Sequence, residues 1–105
     1  MASTKQRAFI SGAITGTEDY MERFERAETL LKDAGYAPIN PTTFSKPLLY
    51  AEYAWDEFMN ITLLLLKQSD VILMLNGWEK SRGARVEYSF AESHNMKVLY
   101  EKDLR

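Results

Sequence analysis

Two segments of this chain set polar groups at spacings that chemistry can use. The first is Ser81-Arg82-Gly83-Ala84-Arg85-Val86-Glu87. Ser81 and Gly83 stand where a helix would begin, and Glu87 comes one further turn along. Ala84 lies three residues before Glu87 and Ala91 four after, so the glutamate has small neighbours on its own helical stripe. A carboxyl group partly buried near a helix N-terminus is a candidate nucleophile or base. The same spacing fits a surface glutamate paired with Arg85 or Lys97, since most helical glutamates are solvated. The second segment, Ser11-Gly12-Ala13-Ile14-Thr15-Gly16-Thr17, combines two glycines with three hydroxyls. Such a loop can turn backbone N–H groups and a helix N-terminus toward an anion. It is neither a Walker A loop nor a G-x-G-x-x-G fingerprint, and it also fits an ordinary strand-to-helix turn. Around these two, Trp78 is suited either to stack on a base or to cap the core. Tyr20 and Arg82 are within reach of a ligand in this reading, though such residues more often pack or face solvent. His94 near a helix end reads as a solvated or dipole-paired side chain.

The elements that must position these residues alternate. Ala8 to Gly12 is a short apolar run ending at glycine, a first strand. Thr17, followed by Glu18 and Asp19, is a plausible helix start, and Met21, Phe24, Ala27, Leu30 and Leu31 recur at helical spacing up to Gly35. Tyr36 to Ile39 is a second strand, broken by Asn40-Pro41. Thr42 to Leu49 reads as a loop and about Tyr50 to Gln68 as a long helix whose run Ile61 to Leu66 is covered on most sides. Asp70 to Leu75 is the clearest strand. It is apolar without alternation, as a strand buried on both faces should be. After a turn at Asn76 to Lys80, a helix runs from Gly83 to about Asn95, and Met96 to Tyr100 closes the chain as a last strand.

The order β-α-β-α-β-α-β predicts an α/β fold, a three-layer sandwich on a small parallel sheet of about four strands, of the flavodoxin/Rossmann-like kind. Ligands in such folds bind outside the carboxyl ends of the strands. That rule selects the loops Ser11 to Thr17, Asn40 to Ser45 and Asn76 to Gly83, which are the segments with the unusual chemistry.

Composition bounds the rest. At 105 residues the chain is read as one domain, 1–105, with an ordinary globular balance of 46% hydrophobic and 27% charged residues, which argues against disorder. The net charge of -2, with acids and bases interspersed, gives no basic stripe for duplex nucleic acid. With no cysteine and one histidine, a disulfide framework, a thiolate zinc site and a histidine-rich metal site are excluded. The N-terminus does not read as a signal peptide, and Ile61 to Leu66 is far short of the ~20 apolar residues a bilayer span requires. The expectation is a cytoplasmic protein with no membrane partner, no metal and no cofactor. Tyr50, Tyr53 and Trp55 suggest an aromatic face for a homo-oligomer.

The three loops together resemble the nucleoside 2-deoxyribosyltransferase-like superfamily, and within it the domain of unknown function 4406 family, common in phages and prophages. The resemblance rests on Ile10-Ser11-Gly12-Ala13-Ile14-Thr15-Gly16, then Ile39-Asn40-Pro41, then the run from Ser69 through Glu87. It covers nearly the whole chain in order, and Gly77-Trp78-Glu79 with Ser81, Gly83-Ala84 and Glu87 is its most specific part. The resemblance implies cleavage of an N-glycosidic bond, with Glu87 attacking the anomeric carbon of a deoxyribose as nucleophile. It further implies a nucleoside or nucleotide substrate contacted by Ser11, Gly12, Ile14, Gly16, Tyr20, Asn40, Trp78, Ser81 and Gly83. Trp78 would meet the base. Ser81 and the first loop would hold sugar or phosphate, Ser81 standing where the superfamily's nucleotide hydrolases carry a serine. Relatives pair their protomers. They also usually carry an aspartate eight residues before the Asp that opens the third strand, and counting back from Asp70 gives Thr62. A threonine cannot supply an acidic proton at neutral pH. Two expectations follow: an N-glycosidase or deoxyribosyltransferase acting through Glu87, or a nucleotide-binding protein that lacks the catalytic acid.

Overall fold

The computed structural model describes residues 5–14, 18–43 and 55–104. Four parallel strands, β1 (Arg7–Ser11), β2 (Ala37–Ile39), β3 (Val71–Met74) and β4 (Lys97–Tyr100), form one sheet in the order β2-β1-β3-β4. Among the described residues, three long helices lie between them: α1 (Tyr20–Asp33), α2 (Trp55–Lys67) and α3 (Arg82–Ser93).

Burial follows that order. The last four residues of β1 and all of β3, the two central strands, are buried, whereas β2 and β4 at the edges are mostly half-buried. Val71 to Met74 is therefore apolar throughout because helices cover both of its faces. Pro38 is tolerated in β2 because an edge strand can spare a ladder donor. Side chains of successive strand residues point to opposite faces. Ala8, Ile10, Val71 and Leu73 meet Phe24, Ala27 and Leu31 of α1 on one side. Phe9, Ile72 and Met74 meet Leu66 of α2 and Ala84 and Ala91 of α3 on the other. The result is a three-layer sandwich, α1 over the sheet over α2 and α3. The β1-to-β2 step and the two rightward steps place their helices on opposite faces, which keeps every crossover of one hand.

Helix ends are set by local chemistry. At the end of α1, Gly35 has φ of +93°, the Tyr36 N–H bonds to the Leu31 carbonyl at 2.9 Å and the Gly35 N–H to that of Lys32 at 3.1 Å. This is a Schellman closure, with Tyr36 folded against the core cluster that holds Leu31. α3 ends the same way with Asn95 at φ of +56°, and Met96 and Asn95 donate to Ala91 and Glu92. Asp70 joins the starts of the two central strands. Its backbone N–H donates to the Arg7 carbonyl and its carboxylate accepts the Arg7 backbone N–H, both at 2.9 Å.

The elements match the expected order, with shifted bounds, except that Thr42 and Thr43, expected in a loop, are helical; the rest of that expected loop, through Leu49, lies outside the described residues. α1 opens at Tyr20, after Asp19, and Thr17 lies outside the described residues. α3 opens at Arg82 rather than Gly83, because the Ser81 hydroxyl accepts the Ala84 N–H at 3.2 Å and so caps the helix. The turn after β3 contains a short 3-10 segment, Trp78–Lys80, entered through Gly77 at φ of +85°. A second 3-10 turn, Glu101–Asp103, follows β4, and Glu101 from it accepts the Asn76 N–H at 2.9 Å. Tyr50 and Tyr53 lie outside the described residues, as does the side chain of Trp55. No described helix is long and apolar enough to cross a membrane.

Candidate functional site

From β1 the chain steps to β2 on one side, and later to β3 on the other. In a sheet of this order the crevice opens where those directions diverge, at the carboxyl ends of β1 and β3. A cleft of about 460 Å³, including its open mouth, lies there. Ile10, Gly12 and Ile14 at the end of β1 form one wall, with Phe24 of α1 and Pro41 after β2. Phe58, Met59 and Thr62 of α2 face Ser81, Gly83, Ala84 and Glu87 at the start of α3.

Glu87 reaches this cleft because of its place on α3. Ala84, Glu87 and Ala91 are the buried residues of the helix, so the glutamate lies on the stripe that faces the sheet. It is 6% exposed. Ser11 is the last residue of β1, and its parity with Phe9 directs its side chain to the face that carries α3. Its hydroxyl donates to Glu87 Oε1 at 2.6 Å. Thr62 comes from the buried stripe Met59, Thr62 and Leu66 of α2, and its hydroxyl also donates to the Met59 carbonyl at 3.1 Å. The surface reading of Glu87, paired with Arg85 or Lys97, is thereby set aside.

Burial pushes the Glu87 carboxyl from its ordinary 4.5 up to about 7, and hydrogen bonds with Ser11 and Thr62 pull it the other way. A carboxyl in that range is divided between acid and base near neutrality, so it can take a proton, give one or attack an electrophilic carbon. Among the described residues that line the cleft, Glu87 is the one ionisable side chain. No group of three His, Asp or Glu side chains that could hold a metal occurs among the described residues.

Ser11, Gly12, Ile14, Ser81 and Gly83 from the expected set are thus brought together around Glu87. Two of them lie close to neighbouring side chains. A Cβ on Gly12 would stand 2.9 Å from Leu75 Cδ1, and one on Gly83 3.2 Å from Met59 Sδ. Three other residues are placed differently. Trp78 does not line the cleft; it stacks on Tyr88 with ring centroids 4.6 Å apart and borders a separate depression with Met74, Tyr100 and Lys102. The aromatic pair is held by the core beneath α3, which draws the indole away from Glu87. Tyr20 packs against the core on the α1 side. Asn40 is buried and bonds locally, its side-chain oxygen accepting the Thr42 N–H at 3.0 Å and hydroxyl at 2.6 Å, so it shapes the turn that presents Pro41. Gly16 lies outside the described residues.

Sequence reasoning missed the Ser11–Glu87 pair and the α2 wall of Phe58 and Met59. One signal was available: a lone polar residue, Thr62, three after Met59 and four before Leu66 in an otherwise apolar stripe. Arg23 was also missed. It donates to the Ala13 carbonyl at 2.9 Å and ties α1 to the loop after β1.

Fold and cleft together define a small α/β protein with a flavodoxin-like strand order and a buried carboxyl at its strand-end crevice. The chain belongs to the family described as domain of unknown function (DUF4406), whose model matches residues 6–100. No curated protein matches it significantly.

Proposed function

We propose that the chain is a cytoplasmic N-glycosidase or deoxyribosyltransferase of the nucleoside 2-deoxyribosyltransferase-like kind, with the Glu87 carboxylate as nucleophile. The observation that carries this reading is the buried Glu87 carboxyl, held by Ser11 and bordered by Thr62 in the strand-end cleft. In the reaction a Glu87 oxygen bonds to the anomeric carbon as the bond from that carbon to the base nitrogen breaks. The base leaves with the bonding pair and takes a proton from solvent. The carboxylate stabilises the oxocarbenium-like transition state before it becomes an ester oxygen. Water then adds to the same carbon, or a second base does; the bond from that carbon to the Glu87 oxygen breaks, the carboxylate is regenerated and the nucleophile's proton passes to solvent. The first turn of α3, with Ser81 as its cap, and the backbone at Gly12 are suited to hold a sugar hydroxyl or a 5′-phosphate.

The test is incubation with deoxynucleosides and their 5′-monophosphates, with free base followed by chromatography. Base is expected from at least one of them, with a rate that rises with pH through about 7 as Glu87 ionises. Glu87→Ala should reduce release to background. Release from none of the substrates at high protein concentration refutes the reading. So does an active Glu87→Ala.

One observation favours a second reading, a nucleotide-binding protein without turnover. Thr62 stands where the resemblance implies an acid, and no other ionisable described residue lines the cleft. General-acid assistance is worth about 10²–10⁴-fold, so its loss leaves a slow enzyme or a binder. Calorimetry that detects nucleotide binding without base release selects this second reading. In either case we propose a homo-oligomer, which sedimentation would report as at least twice the chain mass.

A further inference from the structure

We propose that Ser11 is the positioning residue of this cleft: its buried hydroxyl holds the Glu87 carboxylate in one orientation and favours its charged form. The inference deepens the proposed function, because it concerns the control of the same carboxyl.

Three observations carry it. Ser11 is 1% exposed and lies on a central strand, with its carbonyl bonded to the Leu75 N–H at 2.9 Å. The hydroxyl therefore projects from a fixed backbone. Its bond to Glu87 joins residues 76 apart in sequence, from β1 to α3, so it is not a helix cap or a local turn. At 2.6 Å it has the length of a hydroxyl donating to a charged oxygen. Thr62 also favours the charged form of Glu87, but its hydroxyl donates to the Met59 carbonyl at 3.1 Å, which leaves Ser11 the firmer donor.

The charged groups on the surrounding elements do not take over this role. Arg23 on α1 is bonded to Ala13 and faces Asp19, with its Nε 3.5 Å from that carboxylate. Asp56 and Glu57 on α2, and Arg82 and Arg85 on α3 itself, occupy exposed positions. Arg7 is exposed at the opposite end of β1. Burial and the two hydroxyls account for the titration of Glu87.

The test reads Glu87 directly in the full chain and without substrate. Its side-chain carboxyl carbon is followed by NMR from pH 4 to 9, with Glu87→Gln used to assign the signal. Ser11→Ala should raise the midpoint by about one pH unit or more, the scale of one hydrogen bond to a charged group. Ser11→Cys, a weaker donor of similar shape, should fall between, and it carries the test if the alanine variant does not fold. A midpoint unmoved in a folded variant overturns the inference. If the protein releases base, the acid limb of its pH–rate profile must move up by the same amount. A shifted midpoint without base release removes the proposed reaction and leaves this inference standing. An unshifted midpoint in an active enzyme does the reverse.

Discussion

Glu87 is the residue at which fold and chemistry conflict. A buried carboxylate costs several kcal/mol unless it is paired or hydrogen-bonded, and here hydroxyls rather than a cation supply the compensation. Thr62 faces that compromise from α2, and replacing it by an acid separates the two functional readings. Thr62→Asp puts a second carboxyl in the cleft, and repulsion between the two must hold one of them protonated near neutrality. In a glycosidase this supplies the missing acid, and base release should rise at least tenfold, measured at saturating substrate. In a pure binder no base appears. Both outcomes come with lower thermal stability, because a second polar carboxyl has been buried in place of a hydrogen-bonded threonine. The candidate role of Glu87 was legible from its spacing to Ala84 and Ala91, but its partner was not. Ser11 is 76 residues away, and no local pattern records which strand end a helix will face.

At the scale of elements, the cleft depends on close approaches at its floor and rim. Just beyond β1 and β3, Gly12 lies so near the Leu75 side chain that an added methyl would force that side chain to shift. Gly12→Ala should cost ~1–3 kcal/mol, the usual range for overpacking, read as a lower urea midpoint. At the rim, Ser81→Ala removes the hydroxyl that accepts the Ala84 N–H and should cost about 1 kcal/mol in the same measurement. These elements were largely readable. Helical spacing, Gly35 and the unalternating run in β3 mark structures that short-range forces specify. The exact ends were less so. With Ser81 as its cap α3 starts one residue earlier than expected, and Trp78, which composition alone makes a ligand residue or a core residue, is held on Tyr88 by packing.

For the molecule as a whole, the buried carboxyl makes stability depend on pH in a particular direction. Below about pH 4.5 Glu87 is protonated in both the folded and the unfolded chain. Between there and about 7 the unfolded chain ionises and the folded one does not, so the folded state binds more protons and its stability falls as pH rises. Above about 7 both are charged and the penalty is constant. Its full size is about 3 kcal/mol, which corresponds to a Tm change on the order of 10 °C for a domain of this length. Glu87→Gln removes the charge and keeps an acceptor for Ser11. Its advantage in Tm over the parent should therefore grow from pH 5 to pH 8, and parallel curves would contradict the linkage.

By itself the sequence determined that this chain is α/β, with a strand buried on both faces, a parallel sheet and polar loops gathered at one end of it. Those properties follow from periodicity, turn chemistry and the one-handedness of crossovers, which neighbouring residues encode. The tertiary structure alone decided that Glu87 is buried, that Ser11 and Thr62 are the groups beside it, and that Trp78 faces elsewhere. Burial and pairing are set by which helix face meets which strand end, and that depends on all the layers packing at once.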